Sequence, residues 1–514
     1  MNHELVGVVD FGGQYTQLIA RRVRETNVFC EILMPDVKAE DLRRRKLKGL
    51  IMSGGPASVY APGAPRCDPK LFELGVPVLG ICYGMQLACL SLGGKVTAAK
   101  DREFGRTELT IGNGSPLFRG VPRRTSVWMS HGDKVETASR EFEVLAATRN
   151  CANAAVRHRS RPIYGVQFHP EVAHTPQGGR MLRNFLFDVC GCHGDWKTTS
   201  VIEQAVSDIR AAVGPKGRVL CGLSGGVDSS VVATLVHRAI GSRLTCVFVD
   251  NGLLRLGEAD QVRHLFRDRL HLNLVVSDSS EEFLRKLKGV SDPEKKRKII
   301  GHVFIDVFAR EAKRVKGVDF LAQGTLYPDV IESRSAFGGP SAVIKTHHNV
   351  GGLPKRLRFK LVEPLRHLFK DEVRKIGRAL GMPPRLVDRQ PFPGPGLGVR
   401  CLGPLSKPRL DLLRRADEIV VAEIEKAGLH KRLWQYFAVL LPVSTVGVMG
   451  DERTYDNVIA VRAVESLDGM TADWARIPNE VLATISSRIV NEVKGLNRVV
   501  YDISSKPPST IEWE

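Results

Sequence analysis

The chain has 514 residues and a formal net charge of +19, from 75 lysines and arginines against 56 aspartates and glutamates. Its 43% hydrophobic content is enough for sizeable cores in about two to four domains, and no run of about 18 apolar residues offers a transmembrane helix. Met1-Asn2-His3-Glu4 begins no basic-then-apolar secretory leader, and ten scattered cysteines fit a reduced, cytoplasmic setting better than a disulfide framework. Basic runs at Arg43-Arg44-Arg45-Lys46, Lys295-Lys296-Arg297-Lys298 and Lys355-Arg356 suit nucleic acid, polyanionic nucleotides or a solvated surface, the last being the simplest reading for most of them.

The first segment runs to about residue 195. Leu5-Val6-Gly7-Val8-Val9-Asp10, Leu50-Ile51-Met52 and Val76-Pro77-Val78-Leu79 read as buried strands, the second ending in the turn Ser53-Gly54-Gly55-Pro56. Strands alternating with helices predict a doubly wound α/β domain. Gly80-Ile81-Cys82-Tyr83-Gly84 is the cysteine form of a nucleophile elbow: a sharp strand-to-helix turn exposes the side chain, and the flanking glycines relieve crowding. The helix N-terminus behind it favours a thiolate. Ile163 to Phe168 reads as a strand ending at His169-Pro170-Glu171, where two side chains two residues apart face the same way, so Glu171 can orient His169 toward a sulfur.

This segment resembles a class I glutamine amidotransferase domain. The resemblance implies that Cys82 attacks the glutamine amide to give a glutamyl thioester, that His169 moves the protons and that Glu171 holds the imidazole. It also implies an oxyanion hole of backbone N–H groups near Gly54, Gly55 and Tyr83, with Gln86 helping to hold the substrate.

Gly191 to Thr199 is a candidate linker, and Cys190-Gly191-Cys192-His193 within it reads as a hinge rather than a metal site. An apolar rhythm resumes at Val201, Ile202, Ala205, Val206 and Ile209. Arg218 to Leu223 is then a short apolar strand, followed by Ser224-Gly225-Gly226-Val227-Asp228-Ser229-Ser230, a helix with Val231, Val232, Leu235 and Val236 on one face, and a second strand at Leu244 to Val249. A glycine turn at the end of the first strand of a βαβ unit aims N–H groups and a helix dipole at an anion. No Gly-Lys-[Ser/Thr] follows, so it is not a Walker A loop. It resembles the PP-loop of the N-type ATP pyrophosphatases. That resemblance implies ATP binding by Ser224 to Ser230 and a magnesium ion at Asp228.

The βα alternation continues through helices over Glu258 to Leu270, around Phe283 and from Lys296, with strands at Leu274 to Val276 and Phe320 to Ala322. Residues 326–360 read as a long polar lid containing Lys345-Thr346-His347-His348-Asn349. A helix follows at Lys370 to Leu380. The stretch Arg389-Gln390-Pro391-Phe392-Pro393-Gly394-Pro395-Gly396-Leu397-Gly398 is too rich in proline and glycine for helix or central strand and marks a boundary. Beyond it come a helix over Arg409 to Ala427, strands at Phe437 to Leu441, Thr445 to Met449 and Val458 to Arg462, a helix near Pro478 to Val493 and a strand at Arg498 to Ile503, an α+β pattern. The fold expected is thus α/β: two doubly wound parallel-sheet domains at 1–195 and 196–390, then a smaller α+β domain at 391–514.

This order of parts resembles the glutamine-hydrolysing GMP synthetase family over nearly the whole chain. The most specific matches are Gly447-Val448-Met449-Gly450-Asp451, Gln390 to Leu397, Lys345 to Val350 and Lys506-Pro507-Pro508. The resemblance implies that XMP is bound by Arg297, Gln435, Asp451, Lys506 and Glu512, that ATP, Mg²⁺ and glutamine are used, that the C-terminal domain forms a homodimer, and that neither membrane nor nucleic acid is required. Glu452 and Ser505 stand where the family often has glycine. A different PP-loop amidotransferase or a tRNA-modifying enzyme is the alternative. A tRNA thiolase predicts a catalytic cysteine pair, which Cys221 and Cys246, both on strands, do not suggest.

Overall fold

The structure, a computed structural model, describes residues 3–112, 114–334, 359–449, 452–466, 469 and 471–514, the side chains of 100–102, 332–334 and 449 excepted. The chain separates into two compact units, one carried by Met1–Val201 and the other by Ile202–Val330 with Gly339–Glu514. No helix of the described residues is long and apolar enough to cross a membrane.

The first unit holds a nine-stranded sheet: β1 (Leu5–Val9), β2 (Phe29–Leu33), β3 (Leu47–Met52), β4 (Val78–Ile81), β5 (Lys95–Ile111), β6 (Arg124–Thr137), β7 (Phe142–Ala147), β8 (Ala155–His158) and β9 (Ile163–Val166), in the order β2-β1-β3-β4-β9-β8-β7-β5-β6. The run from β2 to β9 is parallel. Every residue of β1, β4 and β9 is buried, as strands covered on both faces require. The other four strands pair antiparallel and extend the expected parallel sheet at one edge. The candidate linker is likewise not free. Trp196 is buried, with its ring 4.6 Å from the Phe29 ring and its backbone N–H bonded to the Asn27 carbonyl, and the next helix starts at Thr198.

The second unit contains a five-stranded parallel sheet of β10 (Val219–Leu223), β11 (Leu244–Asp250), β12 (Leu274–Asp278), β13 (Phe320–Ala322) and β14 (Lys360–Val362), ordered β12-β11-β10-β13-β14. The strand order reverses beside β10, which makes the carboxyl ends of β10 and β13 a topological switch point, the usual position of a ligand crevice. A four-stranded sheet follows: β15 (Gln435–Met449), β16 (Glu452–Glu465), β17 (Asp473–Trp474) and β18 (Leu496–Asp502), with β15 antiparallel and β18 parallel to β16. One apolar core runs from Leu220 and Val247 through Leu410, Leu413 and Val420 of the Lys407–Lys426 helix to Ile459 and Val461.

Two further expectations change. The two strands drawn at Phe437 to Leu441 and Thr445 to Met449 are one strand, β15, with a register shift between Leu440 and Ser444 where Pro442 cannot donate to the ladder. The start of the expected lid is a helix, Tyr327–Arg334, whose first turn tolerates Pro328 and whose Asp329 carboxylate accepts from the Leu326 N–H. The rest of that segment, including Lys345 to Asn349 and Lys355-Arg356, lies outside the described residues, as does Asp451.

Candidate active sites

Cys82 follows β4 directly and opens the Tyr83–Ser91 helix. Its backbone has φ 51° and ψ −105°, a region that non-glycine residues rarely occupy. The flanking glycines make this turn possible. A Cβ on Gly80 would come within 2.5 Å of the Met85 nitrogen, and one on Gly84 within 2.3 Å of the Met52 carbonyl oxygen. The strained elbow is the geometry expected of a nucleophile held by packing around it.

His169 lies just past the carboxyl end of β9, the strand beside β4. Its Nδ1 donates to Glu171 Oε1 at 2.7 Å, and the Cys82 thiol stands close enough to the ring to help raise its pKa. Tyr15 packs edge-on against the ring at 5.1 Å. Burial alone would push the His169 pKa down. The Glu171 charge, the Cys82 thiol and the hydrogen bond to Glu171 win, and the pKa is pushed up to about 10. Gly54 is the close neighbour of this pair: a Cβ there would stand 3.3 Å from His169 Cε1 and 3.9 Å from Cys82 Cβ. Gly55 lies against the Phe11 carbonyl and the Tyr83 ring. Gln86 Nε2 donates to the Asp133 carbonyl at 2.9 Å and to Gln167 Oε1 at 3.2 Å. Cys82, His169, Glu171, Gly54, Tyr83 and Gln86 therefore converge on one buried place.

In the second unit, the Val227–Ile240 helix starts after Gly226, with the loop at the carboxyl end of β10. Gly225 has φ +73°, a conformation open to glycine at no strain. The loop is tied to itself by its own hydroxyls. Ser229 Oγ accepts from the Ser224 N–H at 3.2 Å, Ser224 Oγ accepts from the Gly226 N–H at 3.3 Å, and Ser230 Oγ donates to the Gly226 carbonyl at 2.6 Å. Asp228 pairs with Lys370 through one carboxylate oxygen, and its other oxygen, Oδ1, is buried with no hydrogen-bond partner among the described residues. Gly324, just past β13, would place a Cβ 3.4 Å from Asp228 Cβ, so loop and switch point coincide. Arg389 braces the loop from behind, donating to the Gly225 carbonyl at 3.1 Å and to Glu258 at 2.6 Å.

Residues 7–189 match the family described as glutamine amidotransferase class-I, residues 198–251 match NAD synthase, and residues 422–513 match the GMP synthase C terminal domain. Among relatives, the glutamine-hydrolyzing GMP synthases of Ruminiclostridium cellulolyticum, Caldicellulosiruptor saccharolyticus and Clostridium tetani are 58%, 57% and 56% identical to this chain, each alignment covering 100% of both proteins. The chain belongs to the glutamine-hydrolysing GMP synthase family.

In this GMP synthase family member the residues expected at XMP gather only in part. Glu512 accepts two bonds from Arg400, at 3.0 and 2.8 Å, and one from Gln435 Nε2 at 3.2 Å. Arg297 donates to the Glu514 main-chain oxygen, and its neighbour Lys296 bonds the Cys401 carbonyl at 2.9 Å and the Glu514 carboxylate at 2.5 Å. The C-terminal tail is thus tied down. Lys506 sits apart from these contacts, donating to the Gly469 carbonyl at 2.8 Å and bridging Ala472. Ser505, one of the two departures from glycine, donates to Asp473 at 2.6 Å. The sequence reading missed Lys370, Arg389, Arg400 and Gln167. The first three are long-range partners that no local pattern reveals. Gln167 gave no strand-face signal either, since β9 ends at Val166 and Gln167 lies in the bend between that strand and His169. Cys221 and Cys246 are in register on β10 and β11, but both are buried and offer no accessible pair. Cys192, in the expected hinge, is buried and its thiol pKa is pushed up to about 12, chiefly by that burial.

Proposed function

We propose that the protein makes GMP from XMP, ATP and glutamine, with division of labour among 1–195, 196–390 and 391–514. The observation that carries this reading is the buried Cys82–His169–Glu171 arrangement on a strained elbow, in a chain that also bears the Ser224 to Ser230 loop. Cys82 attacks the glutamine amide carbon. N–H groups near Gly54, Gly55 and Tyr83 receive the oxyanion, and His169, kept protonated by Glu171, gives its proton to the departing ammonia. Water then cleaves the thioester, releasing glutamate and restoring the sulfur.

At the second site the XMP C2 oxygen attacks the α-phosphorus of ATP and pyrophosphate leaves. Ammonia displaces AMP from the adenyl-XMP, giving GMP. The loop hydroxyls that now bond one another exchange those bonds for phosphate oxygens, and Lys370 has an ammonium ready beside them. The unpartnered Asp228 Oδ1, on a half-buried side chain beside the loop, fits a magnesium ion carried with ATP, which would supply charge neutralisation of the triphosphate. Arg297, Gln435, Asp451, Lys506 and Glu512 are the proposed XMP contacts. Arginine and lysine suit the phosphate, and amide and carboxylate suit the ribose and purine.

A homodimer through the C-terminal sheet is supported by its exposed apolar side chains. Val446 and Val448 on β15 share a face, Tyr455 is paired with Val446, and Val500 and Ile503 are exposed at and beyond β18; Val448 is 73% exposed. Such a patch marks an interaction surface. All ten cysteines are free thiols, the state a reducing cytoplasm maintains. The test follows an ¹⁸O label placed on the C2 oxygen of XMP. Recovery of the label in AMP supports the reading, and AMP without label while GMP forms refutes the adenyl-XMP route.

A further inference from the structure

A second set of buried groups reaches the Cys82 sulfur. Gln167 Nε2 lies 3.5 Å from Sγ, the Ser130 carbonyl lies at 3.8 Å, and Gln167 is fully buried. The direction of the Gln167 amide follows from its neighbours. A carbonyl oxygen can only accept, so Gln86 must turn its Nε2 toward the Asp133 carbonyl, 2.9 Å away. The second hydrogen on that nitrogen goes to Gln167 Oε1 at 3.2 Å. With its oxygen taken in this way, Gln167 has its N–H groups left for the sulfur. The chain is anchored further back. His131 Nδ1 donates to the same Asp133 carbonyl at 3.0 Å, its Nε2 meets Glu103 at 3.2 Å, and Thr148 donates to Glu103 at 2.9 Å. Gln86, His131 and Glu103 are all buried, so water cannot substitute for any link.

We infer that Gln167 is a further catalytic residue of the glutamine half-reaction, donating an N–H to Cys82 Sγ, with Gln86 as the positioning residue that sets its amide. This rests on the reading that Cys82 is the nucleophile. An N–H donated to sulfur strengthens when the sulfur is anionic. It therefore stabilises the attacking thiolate, weakens when the thioester forms, and strengthens again as the thiolate leaves in hydrolysis. No proton is transferred by the amide. Both hydrogens of Gln86 Nε2 are used within the protein, so glutamine can reach only the oxygen of that side chain.

The test is the pH dependence of Cys82 alkylation by iodoacetamide in the full-length protein, read on the Cys82 peptide by mass spectrometry. The titratable groups facing this sulfur are His169, backed by Glu171 and Tyr15, and, further off, His131 with Glu103. Gln167→Met removes the donor at nearly constant volume. The expected result is an alkylation profile moved about one pH unit upward, about tenfold slower labelling near neutrality, and a glutamine-dependent kcat lowered about tenfold at nearly constant KM. Ammonium-dependent synthesis should be unchanged. Gln167→Asn, which draws the amide back from the sulfur, should behave alike and serves if the methionine variant does not fold. Profiles and kcat within about twofold of wild type in a folded variant would overturn the inference. If wild-type Cys82 takes no label and Cys82→Ala still uses glutamine, the nucleophile reading itself is wrong and the inference falls with it.

Discussion

The two glycine-flanked turns at Cys82 and at Ser224 to Ser230 follow buried parallel strands and open helices, yet they are built on opposite rules. At the first, a cysteine carries the positive φ, at a cost of about 1–3 kcal/mol that close packing offsets. The side chain is buried, its histidine is held by a carboxylate, and a chain of amides reaches the sulfur from another side. At the second, glycine carries the positive φ and nothing is strained. Ser224 is exposed, and the hydroxyls bond one another. A covalent nucleophile has to be aimed before its substrate arrives, since the bond it makes tolerates little misplacement. A phosphate cradle needs donors that can trade internal bonds for external ones. One turn stores geometry and the other stores exchangeable hydrogen bonds.

That contrast can be broken at either turn. Asp228→Asn should have the largest effect, lowering GMP formation by about 10²–10³ with glutamine and with ammonium alike while glutaminase chemistry survives; steady-state assays with both nitrogen sources check it. Gly84→Ala drives a methyl into the Met52 carbonyl and should destabilise the first unit by about 1–3 kcal/mol, with glutamine use lost and ammonium use kept. Thermal unfolding with a parallel ammonium assay reads both parts. Lys370→Met should raise the KM for ATP about tenfold and leave glutamine hydrolysis alone.

A further expected effect is on the pH dependence of stability. The folded pKa of His169, about 10, lies above the ordinary 6.5. Its contribution is therefore complete below 6.5 and is lost as the pH rises through about 10. Glu171→Gln removes the main cause of the rise, so the variant should be destabilised most near pH 6 and least near pH 10. Denaturant unfolding of the two proteins at both values checks the sign, and an equal loss at both would contradict it.

Both turns were legible because each is a contiguous word in the sequence, with glycines placed for backbone reasons. His169 and Glu171 were legible as a close pair just past a buried strand, but β9 ends at Val166 and the two meet across a turn rather than on one strand face. The antiparallel half of the first sheet was not. In β5 the inward position is Glu103 and its outward neighbour is Phe104, 65% exposed, which inverts the alternation that reveals a half-buried strand. Glu103 faces inward because His131 and Thr148 satisfy it there. The Tyr327–Arg334 helix was hidden within a segment read as a polar lid, and its Pro328 stands in the first turn, where proline is tolerated. Gln167, Lys370 and Arg400 act through partners distant in sequence, and only the folded chain brings those partners together.

The most direct test of the two-site account is GMP formation from XMP and ATP–Mg²⁺ by Cys82→Ala, supplied in parallel with glutamine or ammonium. The account predicts no measurable product with glutamine and a wild-type rate with ammonium. Equal loss with both nitrogen sources in a folded variant, or continued use of glutamine, would contradict it.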